Sequence, residues 1–412
     1  LGAAAALLKF FFAAFGFLQA LAVPLVAEAF SDSKVPSEYP DSETKEERTA
    51  KVISEVAALA ISMGMFSAAA LWVATPALVG ALVGDGSPTL AAAAVSYLRV
   101  RCWAAPAVVL GNVLGGAFRG TEDLCSPLIL AMAVNLANLA GDYFLVLRLG
   151  MGVRGAALAT GLSQILSAVV SLGILLQRGL FSWQQFFKIP NQSMIREVLL
   201  GSVWSIRSIS ILSTFTLASS FATRIGDVAG AVHEMIRQVW MFEAMGLDSL
   251  AVAAQIMIAK ALGSGRPDRA RAVGVRLLQL GLLCGIFLGG LTQLAAPFLP
   301  LIFTNDLGSD LEMTFRAVLP LMTLFQPVNA LVFVYDGIAA ASKDYEYSAR
   351  SVFCAGSFAW LVMWSLKLHT DLKLVGVWIG INALMFGRAL ALGARFLSRK
   401  GPIPPYDDHE TI

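Results

Sequence analysis

Apolar residues run along this chain in blocks of about twenty or more, broken by short polar or charged interruptions. Leu128–Leu147 and Leu277–Phe303 hold almost no ionisable side chain. A helix of about 20 apolar residues matches a hydrocarbon core about 30 Å thick at 1.5 Å per residue. Backbone groups in lipid must find partners within the segment, so such blocks predict helices. The pattern predicts eleven spans, at roughly 4–29, 52–83, 91–118, 126–147, 153–177, 196–223, 228–262, 272–303, 313–341, 347–366 and 374–397. The fold class is therefore an all-α polytopic membrane protein, with the lipid bilayer as its first partner.

Composition strengthens that reading. Of 412 residues, 57% are hydrophobic and 14% charged, against about 25% charged in a soluble domain. Mean hydropathy is +0.71. A net charge of +2, scattered over loops, gives no nucleic-acid footprint. Cys102, Cys125, Cys284 and Cys354 show no CxxC spacing, and His233, His369 and His409 lie far apart, so neither a disulfide framework nor a metal site is expected. No HExxH, GxSxG, P-loop or DDxxD motif occurs, so the chain is not expected to be an enzyme or to need a cofactor.

The interruptions carry information. If alternate loops share a side, one set (31–51, 119–127, 178–196, 260–276, 343–350, 395–400) holds 18 Lys and Arg, and the other (84–91, 148–154, 224–228, 304–316, 367–373) holds six. The positive-inside rule places the first set in the cytoplasm or its organellar equivalent. Phe181–Arg196 mixes aromatics with polar residues and carries Pro190, as an interfacial linker would. The boundaries become 1–180 for an amino-terminal lobe, 181–195 for the linker, 196–400 for a carboxy-terminal lobe and 401–412 for a disordered tail.

An internal repeat ties the lobes together. At an offset of 221 residues, Ala74-Thr75-Pro76-Ala77-Leu78 meets Ala295-Ala296-Pro297-Phe298-Leu299, Pro106 meets Pro327, and Gly116 meets Gly337. Thr121-Glu122-Asp123 meets Ser342-Lys343-Asp344, and Gly155 meets Gly376. Val26–Phe30 meets Ile258–Leu262 at an offset of 232, the difference fitting within the 31–51 loop. An even number of helices per unit makes two parallel six-helix repeats. Span 196–223 then lacks a partner. The sequence begins at Leu1 inside an apolar run, so it is read as a fragment of a twelve-helix plan without its first helix.

Ionisable groups within spans are the candidates for function, because each costs roughly 2.5–3.5 kcal/mol at a helix centre on insertion scales. Asn138 and Asp142 share one helix face, with Asn135 one turn earlier; they either hold Na⁺ or a proton, or Asp142 merely bonds a neighbouring helix. In the second half, Arg207, Glu234, Arg237, Glu243, Asp248 and Asp336 fall inside spans. Arg207 could pair statically with Asp336 or Asp248, or be released by protonation of the Asp to hold an anionic substrate. Glu234 and Arg237 read as an ordinary (i, i+3) pair. Gly115-Gly116, Gly285 and Gly289-Gly290 read as packing contacts, and Pro76, Pro106, Pro297 and Pro327 as kinks.

These residues resemble the multidrug and toxic compound extrusion (MATE) family, in its plant-type branch of citrate exporters and plastid members. The likeness rests on Phe118-Arg119-Gly120 with Asp123 and Pro127, Gly155-Ala156-Ala157 with Ser163-Gln164, and Gln238-Val239-Trp240. It continues through Asp248–Gln255, Phe333-Val334-Tyr335-Asp336-Gly337, Asp344 and Ser348-Ala349. The resemblance implies cation coupling at Asn138, Asp142 and Thr160. It implies substrate or coupling roles in the carboxy-terminal lobe for Arg207, Gln238, Asp248 and Asp336. Arg207 stands where many members carry glutamate, and His233-Glu234 and Arg237 replace small or amide residues.

The resulting expectation is a monomeric secondary transporter, exporting a small organic solute against H⁺ or Na⁺ by alternating access. The solute is an organic anion such as citrate, or a xenobiotic such as a cationic drug. The membrane is the plasma membrane or an organelle such as plastid or vacuole. A lipid flippase of related architecture and a non-transporting scaffold are the alternatives.

Overall fold

A computed structural model describes residues 8, 10–31, 44–83, 88–304, 308–369, 372–399 and 401–403. The greater part of the 31–51 loop, His409 and residues 404–412 of the expected tail lie outside the described residues. Every regular element among the described residues is helical. Ten helices are long and apolar enough to cross a membrane, eleven if one bent pair is a single span. The chain divides into two compact units, Leu1–Ser205 and Ile206–Ile412.

The first unit holds α1 (Phe17–Ala29), α2 (Lys45–Val83), α3 (Pro88–Gly120), α4 (Cys125–Asp142), α5 (Gly152–Gln177), a short α6 (Trp183–Phe186) and α7 (Gln192–Ser202). Small residues set how closely these helices approach. A Cβ on Gly64 of α2 would lie 2.6 Å from the Pro106 Cα of α3. A Cβ on Gly116 of α3 would lie 2.9 Å from the Gln19 carbonyl of α1. Such contacts are the bilayer's substitute for hydrophobic driving force between helices. The segment read as a linker packs on this unit, with the Ser182 amide donating to Ser54 Oγ at 2.9 Å.

The second unit contains most of α8 (Trp204–Ile225), then α9 (Asp227–Gly263), α10 (Pro267–Ala295), a short α11 (Leu299–Phe303), α12 (Ser309–Leu324), α13 (Gln326–Ala341), α14 (Tyr345–His369) and α15 (Lys373–Leu397). Its core gathers Trp378, Phe315, Ile236 and Met322, all nearly inaccessible. Two expected spans are corrected here. The block 272–303 stops at Ala295 and resumes at Leu299, and the block 313–341 bends by 45° between α12 and α13. Proline explains both breaks: Pro297 falls in the gap, and Pro327 opens α13, where a missing N–H costs nothing. Pro76 and Pro106, by contrast, lie inside unbroken helices. At the start of the expected tail, Ile403 is buried and its carbonyl accepts from Arg271 at 3.1 Å.

The same local contacts occur in each unit at positions 221 apart. Glu122 and Lys343 both have left-handed backbones, with φ of 62° and 56°. Gly285 faces the Pro327 Cα at the same 2.6 Å as Gly64 faces Pro106. Gly155 lies against Leu145 and Met151, and Gly376 against Leu366 and Leu372. Asp123 and Asp344 each pair with an arginine, Arg178 and Arg395, although the arginines are 217 rather than 221 apart.

Large apolar side chains cover the outside of these helices. Phe66 is 78% exposed, Trp103 76% and Leu294 80%. A bilayer satisfies that surface; water does not.

Candidate functional site

In the first unit, the candidates sit on the seam between α4 and α5. Gly141 allows the approach, since a Cβ there would lie 3.2 Å from Ala159 Cβ. Asn138 Nδ2 faces Thr160 Oγ1 at 3.5 Å, while the Thr160 hydroxyl donates to the Ala156 carbonyl at 2.9 Å. Thr160 therefore presents lone pairs, not a proton, to the seam. Asp142 lies one turn beyond Asn138, and its buried Oδ1 has no hydrogen-bond partner. From Tyr143 to Arg148 the helix widens to π geometry, an irregularity that collects at functional positions. Amide, hydroxyl and an unsatisfied carboxylate oxygen are the donor set that suits a small cation. Asn135 is exposed.

In the second unit, Asp336 on α13 is 7% exposed. The neighbouring Gly337 lets α13 press against the Ala251 carbonyl of α9. Arg207 of α8 grips Asp336 with two nitrogens, Nε at 3.2 Å from Oδ1 and Nη2 on Oδ2. A second guanidinium joins from α15: Arg388 Nη2 donates to Asp336 Oδ2 at 2.5 Å. Arg388 is 4% exposed, its Nη1 has only the Met385 sulfur at 3.3 Å, and its Nε has no partner. Two guanidiniums thus share one largely buried carboxylate.

The remaining expectations lie on α9. Gln238 is exposed and donates to Glu234 Oε1 at 2.6 Å, and Glu234 also pairs with Arg237. Asp248 is exposed on α9. Two residues escaped the sequence reading. Arg388 lies within α15, and Arg101 of α3 is 6% exposed, with Nη1 donating to Gln164 Oε1 at 2.7 Å. The signal for both was available: an arginine inside a predicted span is itself a functional candidate.

Apolar spanning helices, close packing through glycine and buried charge on several helices define a multi-pass membrane protein with polar sites inside its helical units. Residues 43–144 and 205–393 match the family model described as MatE. The chain belongs to the MatE family. It is 30% identical over 359 residues to Protein DETOXIFICATION 44, chloroplastic, of Arabidopsis thaliana, covering 86% of this chain and 68% of that one. Protein DETOXIFICATION 45, chloroplastic, of the same plant is 27% identical, covering 92% of this chain and 66% of the relative. The chain therefore spans about two thirds of the length of these relatives. Among solved structures, a MATE crystal structure in complex with MaD3S superposes with a TM-score of 0.82 at 18% identity, covering 96% of this chain and 85% of that one.

Proposed function

We propose that this protein is a cation-coupled secondary transporter that exports a small organic anion by alternating access between two parallel repeats. The lobes are 1–180 and 196–400, joined by 181–195. The observation that carries the substrate class is the Arg207–Asp336–Arg388 cluster, in which two guanidiniums share one carboxylate. Protonating Asp336 would leave both arginines to an incoming anion. Guanidinium forks suit carboxylates bidentately, which favours a di- or tricarboxylate over a cationic drug. Asn138, Asp142 and Thr160 form the cation-coupling site, supported by the unpartnered Asp142 Oδ1. Duplication is supported by the matched contacts at Gly64–Pro106 and Gly285–Pro327. The chloroplastic relatives favour a plastid membrane over the plasma membrane.

The test is flux in proteoliposomes containing the full-length protein, with citrate and tetraethylammonium as probe solutes under an imposed ΔpH or ΔNa⁺. Citrate flux that falls at least tenfold in Arg388→Gln supports the reading. Flux of tetraethylammonium alone, or of neither solute, overturns it.

A further inference from the structure

Glu243 lies in the middle of α9, 4% exposed, far along the helix from the exposed Glu234. Three side chains from two other helices enclose it. Thr292 of α10 donates its hydroxyl to Glu243 Oε1, and Gln326 of α13 donates its amide nitrogen to Oε2. Behind Gln326, Asn329 Nδ2 donates to Gln326 Oε1 at 2.5 Å. Gln326 is fully buried and Asn329 is 1% exposed.

Among the described residues, Glu243 forms no ion pair. Its own helix carries Glu234 and Arg237, which pair with each other, and His233, which meets Ser219 Oγ at 3.0 Å; Asp248 is exposed. From α10, the nearest titratable residue along the chain is Cys284, and Arg271 at the far end holds backbone carbonyls. From α12, Arg316 pairs with Glu312, and Asp310 is exposed near the helix start. From α13, Asp336 is taken by Arg207 and Arg388, and Tyr335 packs against Phe396. A carboxylate this deep in a membrane-spanning bundle requires a neutralising partner, and the described residues supply none.

We propose that Glu243, Thr292, Gln326 and Asn329 form a proton-binding site, separate from the Asp336 cluster, in which Glu243 is the group that takes and releases the proton. The inference rests on the coupled-transport reading for its use, but the site itself is independent of it. The hydrogen bonds make a directed wire. With Glu243 ionised, every donor points toward it: Asn329 to Gln326, Gln326 to Glu243, Thr292 to Glu243. The orientation leaves Asn329 Oδ1 at the end of the wire, and that buried oxygen has no partner. When Glu243 gains a proton from water, Oε2–H becomes a donor, and both amides can turn over. Glu243 then donates to the Gln326 oxygen and Gln326 donates to the Asn329 oxygen, leaving the Asn329 amide nitrogen, in place of its oxygen, at the end of the wire. The neutral state therefore satisfies the oxygen that the ionised state orphans. Asn329 and Asp336 lie seven residues apart on one face of α13, about 10.5 Å along the axis at 1.5 Å per residue.

Infrared difference spectroscopy of the full-length protein in lipid nanodiscs tests the site without requiring transport. A pH titration with the proton alone should show a carboxylic C=O band at low pH that disappears as pH rises, absent in Glu243→Gln. In Thr292→Val, which removes a donor to the ionised form, the band should survive to higher pH; this second variant reads the site even if Glu243→Gln fails to fold. A band unchanged in Glu243→Gln, or one displaced by Na⁺ at constant pH, overturns the proton assignment. In proteoliposomes, the ratio of solute flux with and without ΔpH should drop to about one in Glu243→Gln. No flux at all in the unsubstituted protein sinks the transport reading, while the infrared result still decides the site.

Discussion

Arg388 Nη2 lies 2.5 Å from Asp336 Oδ2, and it is the second guanidinium on that carboxylate. All three side chains are largely shielded, with 5% of the Arg388 side chain and 10% of the Asp336 side chain accessible. Removing the anion leaves two buried cations facing each other. Asp336→Asn should therefore destabilise the protein by roughly 3–5 kcal/mol, the range for breaking a buried pair from one side. Thermal unfolding of the purified protein in detergent checks it, and Asp336→Asn with Arg388→Met should recover part of the loss. If the double variant is no more stable than the single one, the surplus cation is not what destabilises.

The seam between α4 and α5 calls for a different measurement. Asp142 Oδ1 has no partner to lose, so Asp142→Asn should change stability little, within about 1 kcal/mol. Its effect should fall on coupling, with flux driven by an imposed cation gradient reduced at least tenfold. A large loss of thermal stability with coupling intact would instead make Asp142 a structural residue.

The parts of this protein legible in its sequence are those governed by pattern. Apolar blocks mark the spans because lipid leaves the backbone no alternative to helix, and Asp142 and Asp336 stand out because charge is rare there. Spatial pairing is less legible. Arg388 lies 52 residues beyond Asp336, and nothing local in the run from Phe386 to Leu390 says which carboxylate it meets. Gln238 and Asp248, singled out by the family resemblance, are exposed on α9, whereas the same helix buries Glu243. A helix of 37 residues presents several faces, and without its neighbours the sequence does not select among them. The break at Phe325 was similarly half visible: Pro327 predicts a kink, but only packing decides whether the helix bends or stops.

Glycine packing yields a prediction with an internal control. A Cβ on Gly285 would lie 2.6 Å from the Pro327 Cα and 2.7 Å from the Gln326 carbonyl, whereas one on Gly290 meets nothing within 4 Å. Gly285→Ala should cost about 1–3 kcal/mol through overpacking, and Gly290→Ala should be neutral or slightly stabilising through helix propensity. Gly64→Ala should behave like Gly285→Ala, because its Cβ would meet Pro106 at the same distance. Thermal shifts of the three variants, measured side by side, decide the matter. Equal shifts for Gly285 and Gly290 would show that α10 can move away from α13 at no cost.

Asp123 offers a pH test outside the membrane-spanning segments. Burial alone would push its carboxyl up, but the Ser126 hydroxyl and amide and the Arg178 guanidinium outweigh it, holding it below the ordinary carboxylate value. The amide of Ser126 donates to Oδ1 at 3.0 Å, Arg178 Nη1 reaches Oδ2 at 2.5 Å, and Arg178 Nη2 also bonds Ser126 Oγ at 2.9 Å. A carboxyl lowered in the folded state stabilises fully above its unfolded value, and that stabilisation disappears as pH falls through the folded value. Asp123→Asn should therefore melt below the unsubstituted protein at neutral pH, with the gap closing under acid conditions. Arg178 is partly exposed, so added salt should narrow the gap as well. A gap that persisted at low pH would mean that the carboxylate charge is not its source, and that Asp123 holds the α3–α4 turn by hydrogen-bond geometry alone.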